Sequence, residues 1–240
     1  MILAILQARM SSTRMPGKVM APVLGEPMIW RQIERVRRAR HVSKLVVATT
    51  TETSDDALAA FLLGRGCSVH RGDLEDVLGR YADTARACAP SHVVRLKADC
   101  PLTDPQVIDA GVTLALQSGA AYVSNCEVRT YPQGMDMEVI EAQALTAAAR
   151  EAVDPEDRAH VTSYIRRFPL RFHQAQLTHR RDLSAYRWSV DRPEDFAFVR
   201  EVFRRLYPEN PDFGVQEVAE LIESRPELAA LASRAIRAAA

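Results

Sequence analysis

Three cations are grouped in one short segment near the N-terminus. Arg9, Arg14 and Lys18 lie among hydroxyl side chains within residues 8–18, directly after the apolar run Ile2–Leu6. That run predicts a buried strand, and the loop after the first strand of an α/β domain lies at the sheet edge where such domains bind ligands. Arginine and lysine side chains suit phosphate oxygens. The segment therefore predicts a site for a polyanion such as a triphosphate, although its spacing suits a solvated basic turn equally well.

This basic loop does not match the common phosphate-binding motifs. A Walker A loop ending in Gly17-Lys18 would need glycine at position 12 and serine or threonine at position 19, where the chain has Ser12 and Val19. No G-x-G-x-x-G pattern occurs, so dinucleotide binding has no support. What remains is a flexible loop with three cations.

Two acids stand at the ends of apolar runs. Asp99 comes after His92–Leu96, and Asp191 follows Arg187–Val190. One or two carboxylates beside phosphate oxygens are usual surroundings for Mg²⁺. The pattern predicts that Asp99 and Asp191 share a metal, although Asp191 precedes a helix started by Pro193 and on spacing alone suits an N-cap better.

A polar stretch follows at residues 131–138. Asp136 and Glu138 alternate along an extended run and therefore face the same side. Polar side chains on one face suit sugar hydroxyls. The same D-x-E pair could instead serve as a glycosyltransferase metal site, or the stretch could be an exposed edge strand.

Composition excludes several classes of function. Lys plus Arg and Asp plus Glu both number 31, and a chain with no net charge is a poor general binder of nucleic acid. Four cysteines without zinc-site spacing predict reduced, buried thiols. The absence of a signal-peptide pattern and of an apolar run near the ~20 residues that span a bilayer predicts a cytoplasmic protein with no membrane partner.

Strand and helix patterns alternate along the first half of the chain. This alternation predicts the α/β class, with a largely parallel sheet covered by helices on both faces. The predicted strands are Ile2–Leu6, Leu45–Thr49, Cys67–His70, His92–Leu96 and Ala121–Ser124, with extended segments at 129–140, Phe172–Gln176 and Arg187–Val190. The predicted helices start near Pro27, at a Ser54 cap, within 74–88, at Asp104-Pro105, at Asp154-Pro155 and at Pro193.

The pattern changes after residue 125 without any linker-like stretch. We therefore expect one domain over residues 1–240, in which about 125–180 form a sugar-binding lid or dimerisation arm. Residues 207–240 are expected to form a mostly helical tail.

Several blocks together resemble one known family. Residues 8–18 resemble the A-R-x-x-S-x-R-x-P-G-K loop of the cytidylyltransferases that activate acidic sugars, including the KDO and acylneuraminate enzymes. The likeness is greatest to the SpsF-like branch of spore coat polysaccharide biosynthesis. Further blocks resemble that branch in the same order, at residues 76–81, 95–102, 132–138, 160–165 and 190–195.

The resemblance implies a nucleotide-diphospho-sugar transferase fold of the GT-A-like, Rossmann-like kind, with a mixed, mainly parallel sheet. It implies that CMP is transferred from CTP to a sugar with release of pyrophosphate, with Mg²⁺ held by Asp99 and Asp191. Arg9 and Lys18 would bind the triphosphate and, with Asp99, form the catalytic set. The remaining residues implied around the nucleotide are Leu6, Ala8, Ser11, Arg14 and Arg80. Related enzymes are commonly dimers, so a homodimer is expected.

The sugar side is implied less closely by the resemblance. The residues expected to hold the sugar are Tyr131, Gln133, Asp136, Glu138 and His160. Arg129 or Arg158 is expected to meet the carboxylate of an acidic sugar. The chain departs from the KDO-type pattern at Gln7, at Cys100-Pro101 and within 156–160. These departures affect the identity of the sugar more than the type of reaction.

Two other functions stay open at this point. A metal-dependent glycosyltransferase using Asp136 and Glu138 would consume a nucleotide sugar and release no pyrophosphate. A non-catalytic nucleotide-sugar-binding protein would bind CTP without turnover.

Overall fold

A seven-stranded mixed sheet forms the centre of the molecule. The computed structural model describes the backbone of residues 1–237 and the side chains of residues 1–232. The strands are β1 (Ile2–Gln7), β2 (Pro22–Val23), β3 (Glu26–Pro27), β4 (Lys44–Thr50), β5 (Ser68–Gly72), β6 (His92–Lys97), β7 (Tyr122–Ser124), β8 (Glu138–Glu141) and β9 (Gln174–Gln176). The sheet order is β5-β4-β1-β6-β8-β7-β9, and β2 and β3 pair separately.

The first four strands of this order are parallel, and the second half is mixed. Strand β8 runs antiparallel to both β6 and β7, whereas β9 is parallel to β7. The predicted α/β class with a mainly parallel sheet is confirmed. Because β8 lies between two strands, the alternative that residues 131–138 lead into an exposed edge strand is wrong.

Helices cover both faces of the sheet. They are α1 (Met28–Val36), α2 (Asp56–Gly64), α3 (Val77–Cys88), α4 (Pro105–Ser118), α5 (Ala142–Glu151), α6 (Pro155–Ala159), α7 (Ser163–Arg167), α8 (Pro193–Leu206), α9 (Val215–Glu223) and α10 (Pro226–Arg237). The Asp104 and Asp154 side chains accept the backbone N–H groups of Gln106 and Glu156 at 2.8 and 2.9 Å, which confirms both predicted caps.

Strand β1 is buried on both faces because parallel strands on either side and helices above and below enclose it. Leu3 and Ile5 pack with residues of α3 and α5, whereas Ala4 and Leu6 pack with residues of α1 and α4. The side chain of Leu6 is therefore part of the core.

A third apolar cluster holds the C-terminal helices against the rest of the domain. Trp188 and Val190 pack there with Phe203 of α8 and with Phe213, and Tyr131 belongs to the same cluster. This packing fixes the segment that leads to Asp191.

Some predicted elements differ from the structure. Ser54 is not an N-cap, because Thr53–Asp55 form a 3-10 turn and α2 begins at Asp56. Residues 187–190 form no strand, only a single bridge between Arg187 and Gln133. Helices α9 and α10 confirm most of the helical tail, whose residues 238–240 lie outside the described residues.

Residues 125–180 contribute β8, β9 and the helices α5 to α7. A role as a lid or dimerisation arm stays a prediction. None of the helices within the described part of the chain is long and apolar enough to cross a bilayer. All four cysteines are unpaired, as expected, but only Cys67 and Cys100 are buried.

Candidate active site

A cleft of about 610 Å³ lies at the carboxyl ends of β1 and β6. Its walls come from the basic loop, the start of α3, the end of β6, the segment before β8, the α6–α7 region and Asp191. The charged side chains that line it are Arg9, Arg14, Lys18, Glu75, Arg80, Arg95, Lys97, Asp99, Glu127, Asp136, Glu138, Arg166 and Asp191. The structure thus brings together the basic loop, Asp99 and Asp191, as the sequence predicted.

The basic loop is closed by its own backbone. The carbonyl oxygen of Met10 accepts the N–H groups of Ser12 and Gly17, each at 2.9 Å. Gly17 has a φ of 73°, a conformation that glycine adopts without strain, and it precedes the short 3-10 helix Lys18–Met20. The turn aims the side chain of Lys18 back across the cleft. Lys18 Nζ donates to the Val190 carbonyl oxygen at 2.6 Å and to Asp191 Oδ1 at 3.2 Å.

Asp191 is surrounded by cations. Its carboxylate pairs with Lys18, with Arg14 at 3.0 Å and with Arg187. Burial alone would raise the pKa of Asp191, but Lys18 and the two arginines together hold it below the usual value of 3.8. Asp191 is therefore an ionised group of the cleft, whereas the capping of α8 is done by Asp195, which accepts the N–H groups of Asp191 and Arg192.

The second acid, Asp99, is joined to the segment that carries Asp191. The Val190 N–H donates to the Asp99 carbonyl oxygen at 2.7 Å, so the ends of the two segments are held side by side. The Asp99 carboxylate accepts the thiol of Cys100 at 3.3 Å, and burial together with this neighbour raises the Cys100 pKa well above 9.0. Cys100 thus stays a neutral donor.

The two acids fit a magnesium site that relies on substrate oxygens. No group of three or more His, Cys, Asp or Glu side chains that could hold a metal occurs within the described residues. Two carboxylates with phosphate oxygens and water are a usual ligand set for Mg²⁺. The residues present therefore fit Mg²⁺ bound together with a polyphosphate.

The end of strand β6 and the residues just after it present a charged side chain at every second position. Arg95, Lys97 and Asp99 all line the cleft, while Val94 and Leu96 enter the core. Sequence reasoning singled out only Asp99, although the alternation of charged and apolar residues was a signal for the other two. Burial would lower the pKa of Lys97, but Asp99 and Asp136 raise it well above 10.5, so Lys97 remains a cation.

Two arginines of the cleft have no acidic partner. Neither Arg9 nor Arg80 forms an ion pair with any carboxylate among the described residues. Arg80 is buried, and its Nη1 donates to the Asp73 carbonyl oxygen at 2.8 Å. Burial and the nearby charge of Arg9 lower the pKa of Arg80, although Tyr81, Asp55 and Asp73 oppose this. A buried cation facing another cation is costly unless an anion joins them, so this end of the cleft suits a phosphate group.

Comparisons with known proteins identify the family. The sequence profile of the cytidylyltransferases matches residues 3–219, most of the chain. The chain belongs to the cytidylyltransferase family. This confirms the predicted family, its fold and a CTP-dependent nucleotidyl transfer.

Relatives of this cytidylyltransferase include proteins with a named role. It is 32% identical to the spore coat polysaccharide biosynthesis protein SpsF of Bacillus subtilis, over 95% of this chain and 96% of that protein. It is also similar to the solved structure of a cytidylyltransferase from Leptospira borgpetersenii, with 30% identity, 95% coverage of both chains and a TM-score of 0.89. The match to the 3-deoxy-manno-octulosonate cytidylyltransferase of Geobacter sulfurreducens, at 35% identity, spans 53% of this chain and 50% of that protein.

Most residues predicted to contact the nucleotide line the cleft of this cytidylyltransferase. They are Ala8, Arg9, Arg14, Lys18, Arg80 and Asp99. Leu6 does not, because it packs in the core. Ser11 does not line the cleft either, and its neighbours Ser12 and Thr13 take that place.

Of the five residues predicted to hold the sugar, three line the cleft and two do not. Asp136, Glu138 and His160 line the cleft, and His160 is at its rim, paired with Glu156 at 3.1 Å. Tyr131 and Gln133 do not line it. Tyr131 packs in the C-terminal cluster, with its ring centroid 5.1 Å from that of His179.

The backbone of Gln133 holds the segment that ends at Asp191. Its carbonyl oxygen accepts the N–H groups of Trp188 at 2.6 Å and Ser189 at 3.1 Å. Neither arginine expected to meet a sugar carboxylate is free for it. Neither of them lines the cleft: Arg129 pairs with Asp136 at 2.8 Å, and Arg158 pairs with Asp76.

Glu138 is held by a buried network. Its Oε1 accepts the hydroxyl groups of Tyr122 at 2.6 Å and Thr162 at 2.7 Å, and its Oε2 pairs with Arg95. Burial would raise the pKa of Glu138, but Arg95 and the two hydroxyl donors lower it below 4.5. Because protein donors already occupy both oxygens, Glu138 supports the wall of the cleft.

We expect Glu138→Gln to destabilise the fold by about 3–5 kcal/mol, because it leaves the charge of Arg95 buried without a partner. Urea unfolding at neutral pH measures the loss. Since the folded-state pKa of Glu138 is below 4.5, its contribution is full above about pH 4.5 and is lost as the pH falls through the folded value. The difference between the variant and the wild type should therefore shrink in acid.

Glu127→Gln is the matched control for this prediction. Glu127 pairs with Arg166 at 2.5 Å, but both side chains are more than one-third exposed. Such a pair contributes about 1 kcal/mol or less. Equal losses for the two variants would contradict the assignment of Glu138.

Proposed function

We propose that this cytidylyltransferase transfers CMP from CTP to an acidic sugar, with release of pyrophosphate, for the synthesis of a surface polysaccharide. The names of its relatives support the sugar and the pathway class. The observation that carries the proposal is that Arg9 and Arg80, which lack acidic partners, share one cleft with Lys18, Asp99 and Asp191. This combination suits a triphosphate at one end of a reaction site.

In the proposed reaction an acceptor hydroxyl loses its proton to solvent and its oxygen forms a bond to the α-phosphorus, while the bond from that phosphorus to pyrophosphate breaks. Arg9 and Lys18 would stabilise the negative charge that develops on the leaving pyrophosphate. The Lys97 cation, beside Asp99 and Asp136, would face the acceptor end of the cleft.

Asp99 and Asp191 would hold Mg²⁺, which when bound supplies charge neutralisation on phosphate oxygens and lowers the pKa of a bound acceptor oxygen. Both oxygens of Asp191 are paired with Lys18, Arg14 and Arg187, so the half-exposed Arg14 would have to move aside for the metal. Asp136 is oriented by Arg129 and by Lys97 at 3.2 Å, and can accept sugar hydroxyl groups with its remaining lone pairs.

The proposal includes the cytoplasmic homodimer expected from the sequence. Four unpaired cysteines support a reducing compartment. Large apolar side chains of the 125–180 segment, namely Val153, Phe168 and Leu170, are exposed and support a pairing surface there. Light scattering of the 26.7 kDa chain measures the oligomeric state, and a monomer mass would contradict the dimer.

A pyrophosphate-release screen tests the reaction. We expect release with CTP and a member of a panel of acidic sugars and sugar phosphates, and little release with UTP or ATP. Consumption of a nucleotide sugar without pyrophosphate would instead indicate a glycosyltransferase. CTP binding without turnover on any acceptor would indicate a non-catalytic binding protein.

A further inference from the structure

A fully buried carboxylate stands behind the basic loop. Asp55 ends the 3-10 turn after β4 and does not line the cleft. Its Oδ1 accepts the Met10 N–H at 2.6 Å, across 45 residues of sequence. Its Oδ2 accepts the Thr49 hydroxyl at 3.0 Å, the Thr50 N–H at 3.2 Å and the Thr50 hydroxyl. Asp55 therefore gathers four donors from two separate segments.

None of these donors carries a charge, and no cation within the described residues forms an ion pair with Asp55. A buried carboxylate is costly to desolvate, and strong hydrogen bonds to its charged oxygens are what offset that cost. The charge of Asp55 is thus used in holding backbone and hydroxyl groups in place. Asp55 also raises the pKa of Arg80 by its charge, without forming an ion pair with it.

The bond to Met10 controls the start of the basic loop. Ala8 still makes a sheet-like bond to the Ala48 carbonyl at 3.0 Å, and Met10 is the next residue held by a neighbouring segment. The Met10 carbonyl then closes the loop through Ser12 and Gly17. Fixing Met10 consequently fixes Arg9 on one side of it and the turn to Lys18 on the other.

We propose that Asp55 is a positioning residue, which holds the Met10 backbone so that Arg9 and Lys18 are presented to the triphosphate in one geometry. The inference rests on the proposed role of this loop in binding CTP. Asp55 itself does not touch the nucleotide.

The substitution Asp55→Asn tests whether the Asp55 carboxylate positions Met10 or the side chain only fills space. Asparagine has nearly the same shape but offers one acceptor oxygen and one amide that only donates. The two backbone N–H groups of Met10 and Thr50 bind different oxygens of Asp55 and cannot rotate away. In one orientation of the amide the Met10 N–H loses its acceptor. In the other orientation Thr50 loses its partner, and Met10 keeps a neutral oxygen whose hydrogen bond is about half as strong as one to a carboxylate. In both cases Met10 is held less firmly.

Amide hydrogen exchange without any ligand tests the position of the loop. In the wild-type protein we expect the Met10 amide to exchange as slowly as amides within β1. In Asp55→Asn we expect exchange over residues 8–18 to be about tenfold faster, because the buried hydrogen bond to Met10 is lost or loses its charge-assisted strength. Wild-type exchange of Met10 at the rate of an open loop would overturn the proposal even if the variant does not fold.

Asp56→Asn is the matched control, because it makes the same charge change one residue away. The Asp56 side chain is 59% exposed and pairs with Arg71 at 2.6 Å. We expect this variant to keep wild-type exchange and CTP affinity. For Asp55→Asn, calorimetry should give a Kd for CTP raised by about tenfold, with the KM for the acceptor changed by less than about twofold.

A lower unfolding midpoint with unchanged Met10 exchange and unchanged CTP affinity would reduce Asp55 to a fold-stabilising residue and overturn the positioning role. The exchange result does not depend on the reaction. If the wild-type protein failed to bind CTP, the proposed function would fail while the link between Asp55 and Met10 would still be measured.

Discussion

Asp99→Asn is expected to lower the rate of pyrophosphate release by about 1000-fold, because it removes a charged oxygen ligand from the proposed Mg²⁺ and so about 4 kcal/mol of transition-state stabilisation. CTP binding should change little, since Arg9, Arg80 and Lys18 remain in the cleft. The fold should also persist, because Asp99 is tied to Val190 through its backbone carbonyl rather than its side chain. Steady-state release of pyrophosphate and calorimetric titration with CTP measure the two quantities separately.

Glu75→Gln is a suitable control for Asp99→Asn. Glu75 lines the same cleft, is exposed and lies in the segment between β5 and α3. Removing its charge should change turnover by less than about threefold, as expected for an exposed group. Unchanged pyrophosphate release in Asp99→Asn would rule out the assignment of Asp99 to the metal.

Lys18→Met is expected to reduce kcat/KM for CTP by about 100- to 1000-fold, the range found when one preorganised donor to a developing anion is removed. Methionine keeps most of the buried alkyl stem, so packing is largely preserved. Asp191 would still be compensated by Arg14 and Arg187, which limits damage to the fold. Initial rates at varied CTP concentration, with the unfolding midpoint of each variant, separate catalysis from stability.

Arg14→Met provides the comparison for Lys18. Arg14 pairs with the same carboxylate, but its side chain is 54% exposed whereas that of Lys18 is 10% exposed. We expect a loss of less than about tenfold for Arg14→Met, because water screens an exposed cation. A loss of less than tenfold for Lys18→Met as well would show that Lys18 is peripheral to the chemistry.

Local signals in the sequence were sufficient for much of this structure. An aspartate followed by a proline predicts the starts of α4 and α6 without any knowledge of their surroundings. The aspartate side chain accepts a backbone N–H, the proline needs none, and both effects act within one turn. The basic loop and Asp99 each follow an apolar run that predicts a strand. This order likewise indicated which side chains meet at the edge of the sheet.

Features that depend on distant partners were not predictable in this way. The predicted cap at Ser54 is wrong because the 3-10 turn Thr53–Asp55 delays the start of α2 to Asp56, and the Asp55 side chain bonds to the distant Met10. The polar residues beside Tyr131 in the sequence suggest that it contacts the sugar. In the structure its ring packs in the C-terminal apolar cluster instead. Glu138 likewise accepts hydrogen bonds from Tyr122 and Thr162. Tyr122 reaches it only because β7 pairs with β8.

Lys18 and Asp191 are in contact but lie 173 residues apart in the chain. One half of this site is therefore translated early and the other half late. A nascent chain has its basic loop from the start, but it lacks the carbonyl of Val190 and the acid that fix Lys18 until the last quarter emerges from the ribosome. The proposed catalytic site is therefore complete only after nearly the whole protein has been translated. Any product shortened before residue 191 would carry an incomplete site, however well its first strands had formed.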